Sequence, residues 1–196
     1  IAYPDIDIQI HASMGLANFE SEGVDLAIRY GAGRWRGLEA KLLMNEEVTP
    51  VCAERLAAEL VTPEDLAKFT LIHDDSSLSD ESCPDWAMWL KAAGVTSVDA
   101  ARGPRFNQSN LALEAAASGR GVVLAKRALA QADLDAGRLA APFAMTTPIE
   151  FAYYIVHPPG RARSRPARAF LNWVIEQAKD YDLAVKANAS YTASSL

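Results

Sequence analysis

Apolar and polar residues alternate along Ile6–Ile10 and again along Val24–Tyr30 (Val-Asp-Leu-Ala-Ile-Arg-Tyr), the period of two expected of half-buried strands. Between them Leu16–Glu22 has weak helical spacing and stops at Gly23. Leu42–Met44 and Val48–Ala53 read as further strands. Thr62-Pro63-Glu64-Asp65-Leu66 predicts a helix start, with Thr62 as cap and Pro63 at the first helical position. Thr70–His73 is the next strand, and Trp86–Ala93 repeats apolar residues at helical spacing up to Gly94. The pattern continues as helix 110–118, strand 121–125, helix 126–136, strands 138–143 and 149–156, and helix 166–179. In the last helix Ala167, Phe170, Leu171, Val174, Ile175 and Ala178 form one broad apolar face. Such alternation predicts an α/β protein with largely parallel sheets and right-handed crossovers. The small polar residues of Lys186–Leu196 have little to bury, so a frayed tail is expected there.

With 196 residues, half of them hydrophobic, the chain can fill one large or two small domains. Its net charge of −6 and the absence of a basic stripe make it poorly suited to gripping phosphate backbones. The densest positive stretch, Arg161, Arg163, Arg165 and Arg168, is interrupted by prolines and flanks a helix start. Two cysteines in unrelated contexts, Cys52 and Cys83, read as reduced thiols rather than a disulfide or metal site. No charged segment leading into an apolar run opens the chain, and no apolar stretch approaches membrane-spanning length. A cytoplasmic location without a membrane partner is expected. Catalysis is not: His11, His73 and His157 are scattered, and no Gly-x-Ser-x-Gly elbow lies near them. Metal-ligand spacings are absent too, so neither metal nor cofactor is expected. The adjacent pairs Glu46-Glu47 and Asp74-Asp75 read as solvated, and Trp86 and Trp89 as core.

Chemistry for holding a small molecule is easier to find. In Phe106-Asn107-Gln108-Ser109-Asn110 three polar groups cluster where a helix begins, a place whose unpaired N–H groups can hold a carboxylate or phosphate. A plain helix cap needs just one of Asn107, Ser109 and Asn110. Ligands in open α/β sheets also bind beyond the carboxyl ends of strands, where the turn His11-Ala12-Ser13-Met14-Gly15 and the loop Gly31-Ala32-Gly33-Arg34-Trp35 fall. Arg34 has the forked geometry for an anionic group, and Trp35 could wall a pocket. Ser13 as a simple cap and Trp35 as a cover on a surface loop are the competing readings. Gly31-Ala32-Gly33 is no dinucleotide fingerprint, because no helix start with a third glycine follows.

Several stretches then resemble one family in their order and spacing. They are Tyr3-Pro4-Asp5-Ile6-Asp7-Ile8, Glu22-Gly23-Val24-Asp25-Leu26-Ala27-Ile28-Arg29-Tyr30-Gly31, Gly121-Val122-Val123-Leu124-Ala125 and Leu134-Asp135-Ala136-Gly137-Arg138-Leu139. Together they resemble the effector-binding domain of LysR-type transcriptional regulators over about Tyr3 to Ala178. Gly33-Arg34-Trp35-Arg36-Gly37-Leu38 and Phe151-Ala152-Tyr153-Tyr154 point to the branch holding glycine-cleavage and β-lactamase activators.

The resemblance implies two Rossmann-like lobes joined by two crossover strands, as in type 2 periplasmic binding proteins, with a small effector in the cleft between them. Lobe I would be 1–48 plus 150–180, lobe II 49–149, and 181–196 a flexible tail; Val48–Ala53 and Phe151–Val156 would be the crossovers. Effector contacts are then expected from Ser13, Met14, Tyr30, Gly31, Arg34, Trp35, Asn107, Ser109 and Asn110, and from Tyr153 or Tyr154, which point to opposite sides of a strand. The family's DNA-reading winged helix-turn-helix is expected before this segment, which opens where the family's second strand should begin. Expected partners are a small, anionic effector, a second copy forming a homodimer through this domain, a tetramer in the full-length protein, and DNA only through the amino-terminal domain. The alternatives are a transporter's solute-binding protein of the same fold and a bare dimerisation module.

Overall fold

The computed structural model describes residues 3–13, 15, 18–77, 80 and 83–193, without the side chains of 180 and 182–193. In chain order the elements are β1 (Ala27–Gly31), β2 (Glu39–Ala53), α1 (Glu54–Ala57), a 3-10 turn at Pro63–Lys68, β3 (Leu71–Asp74), α2 (Trp86–Ala92) and β4 (Arg105–Phe106). Then follow α3 (Ser109–Ala117), β5 (Val122–Lys126), α4 (Arg127–Asp135), β6 (Leu139–Ala140), β7 (Thr147–His157) and α5 (Arg165–Ala193). The chain divides into two compact units, Ile1–Met44 with Ala152–Ala187, and Asn45–Phe151 with Asn188–Leu196. Strands β2 and β7 each contribute residues to both units.

In unit 1, β1 pairs antiparallel with β7, placing Arg29 opposite Tyr154 and Tyr30 opposite Tyr153. The apolar stripe of α5 meets this ribbon: Val174 and Ala178 are buried with Leu43 and Ile155, and Phe170, Leu171 and Ile175 pack around them. The helical spacing read from 166–179 therefore marks the face that α5 buries.

In unit 2, β5 is buried along its whole length, and its side chains alternate between two cores. Val122 and Leu124 join Trp86, Trp89 and Leu66 on one face; Val123 and Ala125 join Ile72, Ala112 and Ala116 on the other. Trp86 and Trp89 are core residues, and the Trp86 indole donates to the Ile72 carbonyl at 2.9 Å. Gly121 leads into β5 with φ +155°, and a Cβ there would collide with the Thr70 carbonyl.

Several expectations are corrected. The sheet is mixed: β3 runs parallel to β4 and β5, whereas β1–β7, β2–β5 and β2–β6 are antiparallel. Ile6–Ile10 forms no strand and pairs with no ladder among the described residues, with Ile8 56% and Ile10 83% exposed. Where a helix was read over Leu16–Glu22, the described residues 18–22 make a turn in which the Asn18 side chain accepts from the N–H groups of Glu20 and Ser21. Leu42–Met44 and Val48–Ala53 are parts of one continuous strand. Strand 138–143 shrinks to the two residues of β6, and Pro63–Lys68 is 3-10 rather than α. The backbone of α5 is helical to Ala193.

The acidic pairs are not solvated either. Glu46 is only 3% exposed, and its Oε1 accepts from the backbone N–H groups of Glu47 (2.9 Å) and Ala128 (3.2 Å) at the start of α4.

Two outcomes follow for stability and reactivity. Gly121→Ala should cost roughly 2–3 kcal/mol, from a backbone conformation that L side chains rarely adopt plus a backbone clash; chemical denaturation measures it. Burial, with Glu54 adding to it, pushes the Cys52 thiol up to about 11. Cys52 should therefore stay protonated at mildly alkaline pH, and labelling of the folded protein should find it inert until unfolding.

Candidate functional site

Two constellations gather the residues singled out from the sequence, one in each unit. In unit 1 the loop after β1 is shaped by glycines. Trp35 lies against Gly31, where a Cβ would stand 3.0 Å from its ring, and Tyr154 lies against Gly33, where the distance would be 2.7 Å. Gly33 has φ +79°, which suits it to this turn. The two rings meet edge to face with centroids 5.5 Å apart. Arg29 stands over the Trp35 ring at 5.9 Å and the Phe19 ring at 5.6 Å, and desolvation lowers its pKa. Arg34 projects from the same loop, exposed and without a partner among the described residues.

Tyr30 and Tyr153 form a separate pair, 5.2 Å between centroids, and Tyr153 packs against the cluster under α5. Alternation along β7 thus sends Tyr153 to the helix side and Tyr154 to the Trp35 side. The Ser13 hydroxyl accepts from the Gly15 N–H at 3.0 Å, a local turn bond. Met14 lies outside the described residues.

In unit 2, parallel strands β3 and β4 end side by side, with Asp74 in register with Phe106. Ligand sites in open α/β sheets lie at such carboxyl ends. Ser109, the first residue of α3, does not cap its helix: its hydroxyl donates to Asp74 Oδ2 at 2.6 Å. Ser76 Oγ lies 2.8 Å from Ser109 Oγ, and the Ser76 N–H donates to Asp74 Oδ1 at 3.0 Å. A hydroxyl has one proton, so with that proton on Asp74, Ser109 is an acceptor towards everything else. Asp75 is tied to Arg105 at 2.8 Å. Asn107 and Asn110 are exposed and without side-chain partners among the described residues, and the cap position is held by Gln108 without a side-chain bond. None of Asn107, Ser109 and Asn110 caps the helix by a side-chain bond, and Ser109 at its start is held by Asp74 instead. Asp74 escaped the sequence reading because adjacent carboxylates were read as solvated, although it directly ends a strand.

No group of three or more His, Cys, Asp or Glu side chains among the described residues could hold a metal ion, and no helix among them is long and apolar enough to cross a membrane.

The family model described as the LysR substrate binding domain matches residues 2–179. The chain belongs to that family. This LysR-type domain is 37% identical over 180 residues to the glycine cleavage system transcriptional activator of Escherichia coli K12, covering 90% of this chain and 57% of that one. It is 34% identical over 179 residues to the transcriptional activator AmpR of Rhodobacter capsulatus, covering 91% of this chain and 59% of that one. The chain thus spans little more than half the length of these relatives. Among solved structures, the AmpR effector-binding domain of Citrobacter freundii superposes with a TM-score of 0.71 at 28% identity, covering 91% of this chain and 86% of that domain. The effector domain of Pseudomonas aeruginosa AmpR also gives 0.71, at 30% identity, covering 97% of this chain and 87% of that one. The periplasmic-binding-protein-like fold of the LysR-type domain is therefore established.

Removing the Ser109 hydroxyl takes from Asp74 its shortest donor. Ser109→Ala should cost about 1 kcal/mol in chemical denaturation, and Ser109→Thr should recover most of it.

Proposed function

We propose that this LysR-type domain is the effector-sensing part of a transcriptional regulator, and that a small molecule it binds alters DNA binding by an amino-terminal winged helix-turn-helix of the full-length protein. The reading has the chain act in the cytoplasm as a homodimer, within a tetramer at full length, without catalysing a reaction. Named relatives that are transcriptional activators support it over the solute-binding protein of a transporter.

The observation that carries most weight for the site is the Ser76–Ser109–Asp74 chain at the ends of β3 and β4. A carboxylate already occupies this helix start, so an effector group meeting Ser109 must bring its own N–H or O–H. Asn107 and Asn110 offer both donors and acceptors beside it. In the other unit, Gly31, Trp35 and Tyr154 supply an apolar wall and Arg34 a cation for an anionic group, while Tyr30 and Tyr153 brace the strand pair from the helix side. Each unit thus suits its own kind of effector group: an N–H or O–H donor at Ser109 in unit 2, and an anionic group at Arg34 in unit 1. A ligand shifts a conformational equilibrium only by its difference in affinity between the states, and couplings of about 1–3 kcal/mol are typical.

Thermal unfolding against amino acids, organic acids and cell-wall fragments tests this directly. A compound that binds only the folded state raises the midpoint by mass action. The expected result is a rise with an N–H-bearing compound that Ser109→Leu abolishes while the ligand-free protein stays folded. A rise that survives Ser109→Leu would remove Ser109 from the site.

A further inference from the structure

The arginines around the start of α5 have no place in the effector-sensing reading, yet the fold draws three of them together. Arg163, Arg165 and Arg168 line an open cavity of about 350 Å³ with Tyr3, Ala169 and Asn172, all within unit 1. No carboxylate lines it. Arg161, the fourth arginine of the run, is engaged elsewhere: it stands 3.8 Å from Asp25 and donates to the Phe19 carbonyl at 3.3 Å. The Arg168 guanidinium donates to the Arg163 carbonyl at 2.8 Å, which ties the first turn of α5 to the preceding 3-10 turn. Arg163 and Arg165 have no side-chain partner among the described residues. An acidic chain of net charge −6 thus gathers three arginine side chains around one cavity with no carboxylate in its lining.

We propose that this cavity is a second binding site, for a small oxyanion carrying at least two negative charges, of the phosphate monoester or pyrophosphate class. Guanidinium forks match such oxygens bidentately, and the Tyr3 hydroxyl and the Asn172 amide add neutral donors. A nucleic acid fits less well, because three arginines at one cavity make no stripe along which a backbone could run. The site shares no residue with the Ser109 or Trp35 constellations, so it stands or falls independently of the effector proposal.

Calorimetric titration of the whole chain with sodium pyrophosphate, against sodium chloride at equal ionic strength, is the test. Saturable binding of pyrophosphate is expected. The double variant Arg163→Gln/Arg165→Gln should weaken it by about tenfold or more, with the ligand-free unfolding midpoint unchanged because both side chains are exposed. No binding, a response matched by chloride, or equal affinity in the variant would overturn the proposal. So would arginine-dependent binding of a glutamate-rich peptide without binding of pyrophosphate, which would make the patch a docking surface for an acidic protein.

Discussion

Unit 2 depends on a strand that has no solvent side. Each residue of β5 is buried, and period-two alternation hands successive side chains to two different cores. Covering both faces requires α2 with its two tryptophans on one side and α3 with its alanines on the other. The small residues Ala112 and Ala116 let α3 sit close to the sheet. That packing brings the first turn of α3 to the end of β3 and Ser109 within reach of Asp74. The arrangement of the candidate site is therefore a consequence of core packing, and loop chemistry adds only the exposed asparagines.

The Ser109–Asp74 bond also changes what this helix start can recognise. An open helix amino terminus favours anions through its free N–H groups and its dipole. Here the protein brings its own carboxylate to that place, so the preference is inverted at Ser109.

Much of this was legible in the chain. Elements with strong periodicity and a buried face, such as α2, α3, β5, β7 and the first turns of α5, stand close to where the pattern put them. Failures cluster where neighbours rather than local pattern decide. Ile6–Ile10 alternates as a strand should, but a strand needs a ladder partner, and none of the described residues supplies one. The gap between Leu42–Met44 and Val48–Ala53 holds Asn45, Glu46 and Glu47, polar residues that lie inside one continuous strand. Glu46 instead turns inward, and its Oε1 accepts from two backbone N–H groups, something spacing cannot reveal. In the same way, Tyr154 is distant in sequence from Arg29 and Trp35 and meets them through strand pairing.

The tryptophan pair of α2 has an optical side. Trp86 and Trp89 are held 6.0 Å apart with their planes at 82°, inside one core. Two such chromophores at fixed distance and angle couple their transitions and give a circular dichroism band that vanishes once either ring rotates freely. Because both rings belong to unit 2, that band reports the tertiary order of this unit alone. The chain thus carries an intrinsic spectroscopic probe for asking whether its two units lose structure together or in turn.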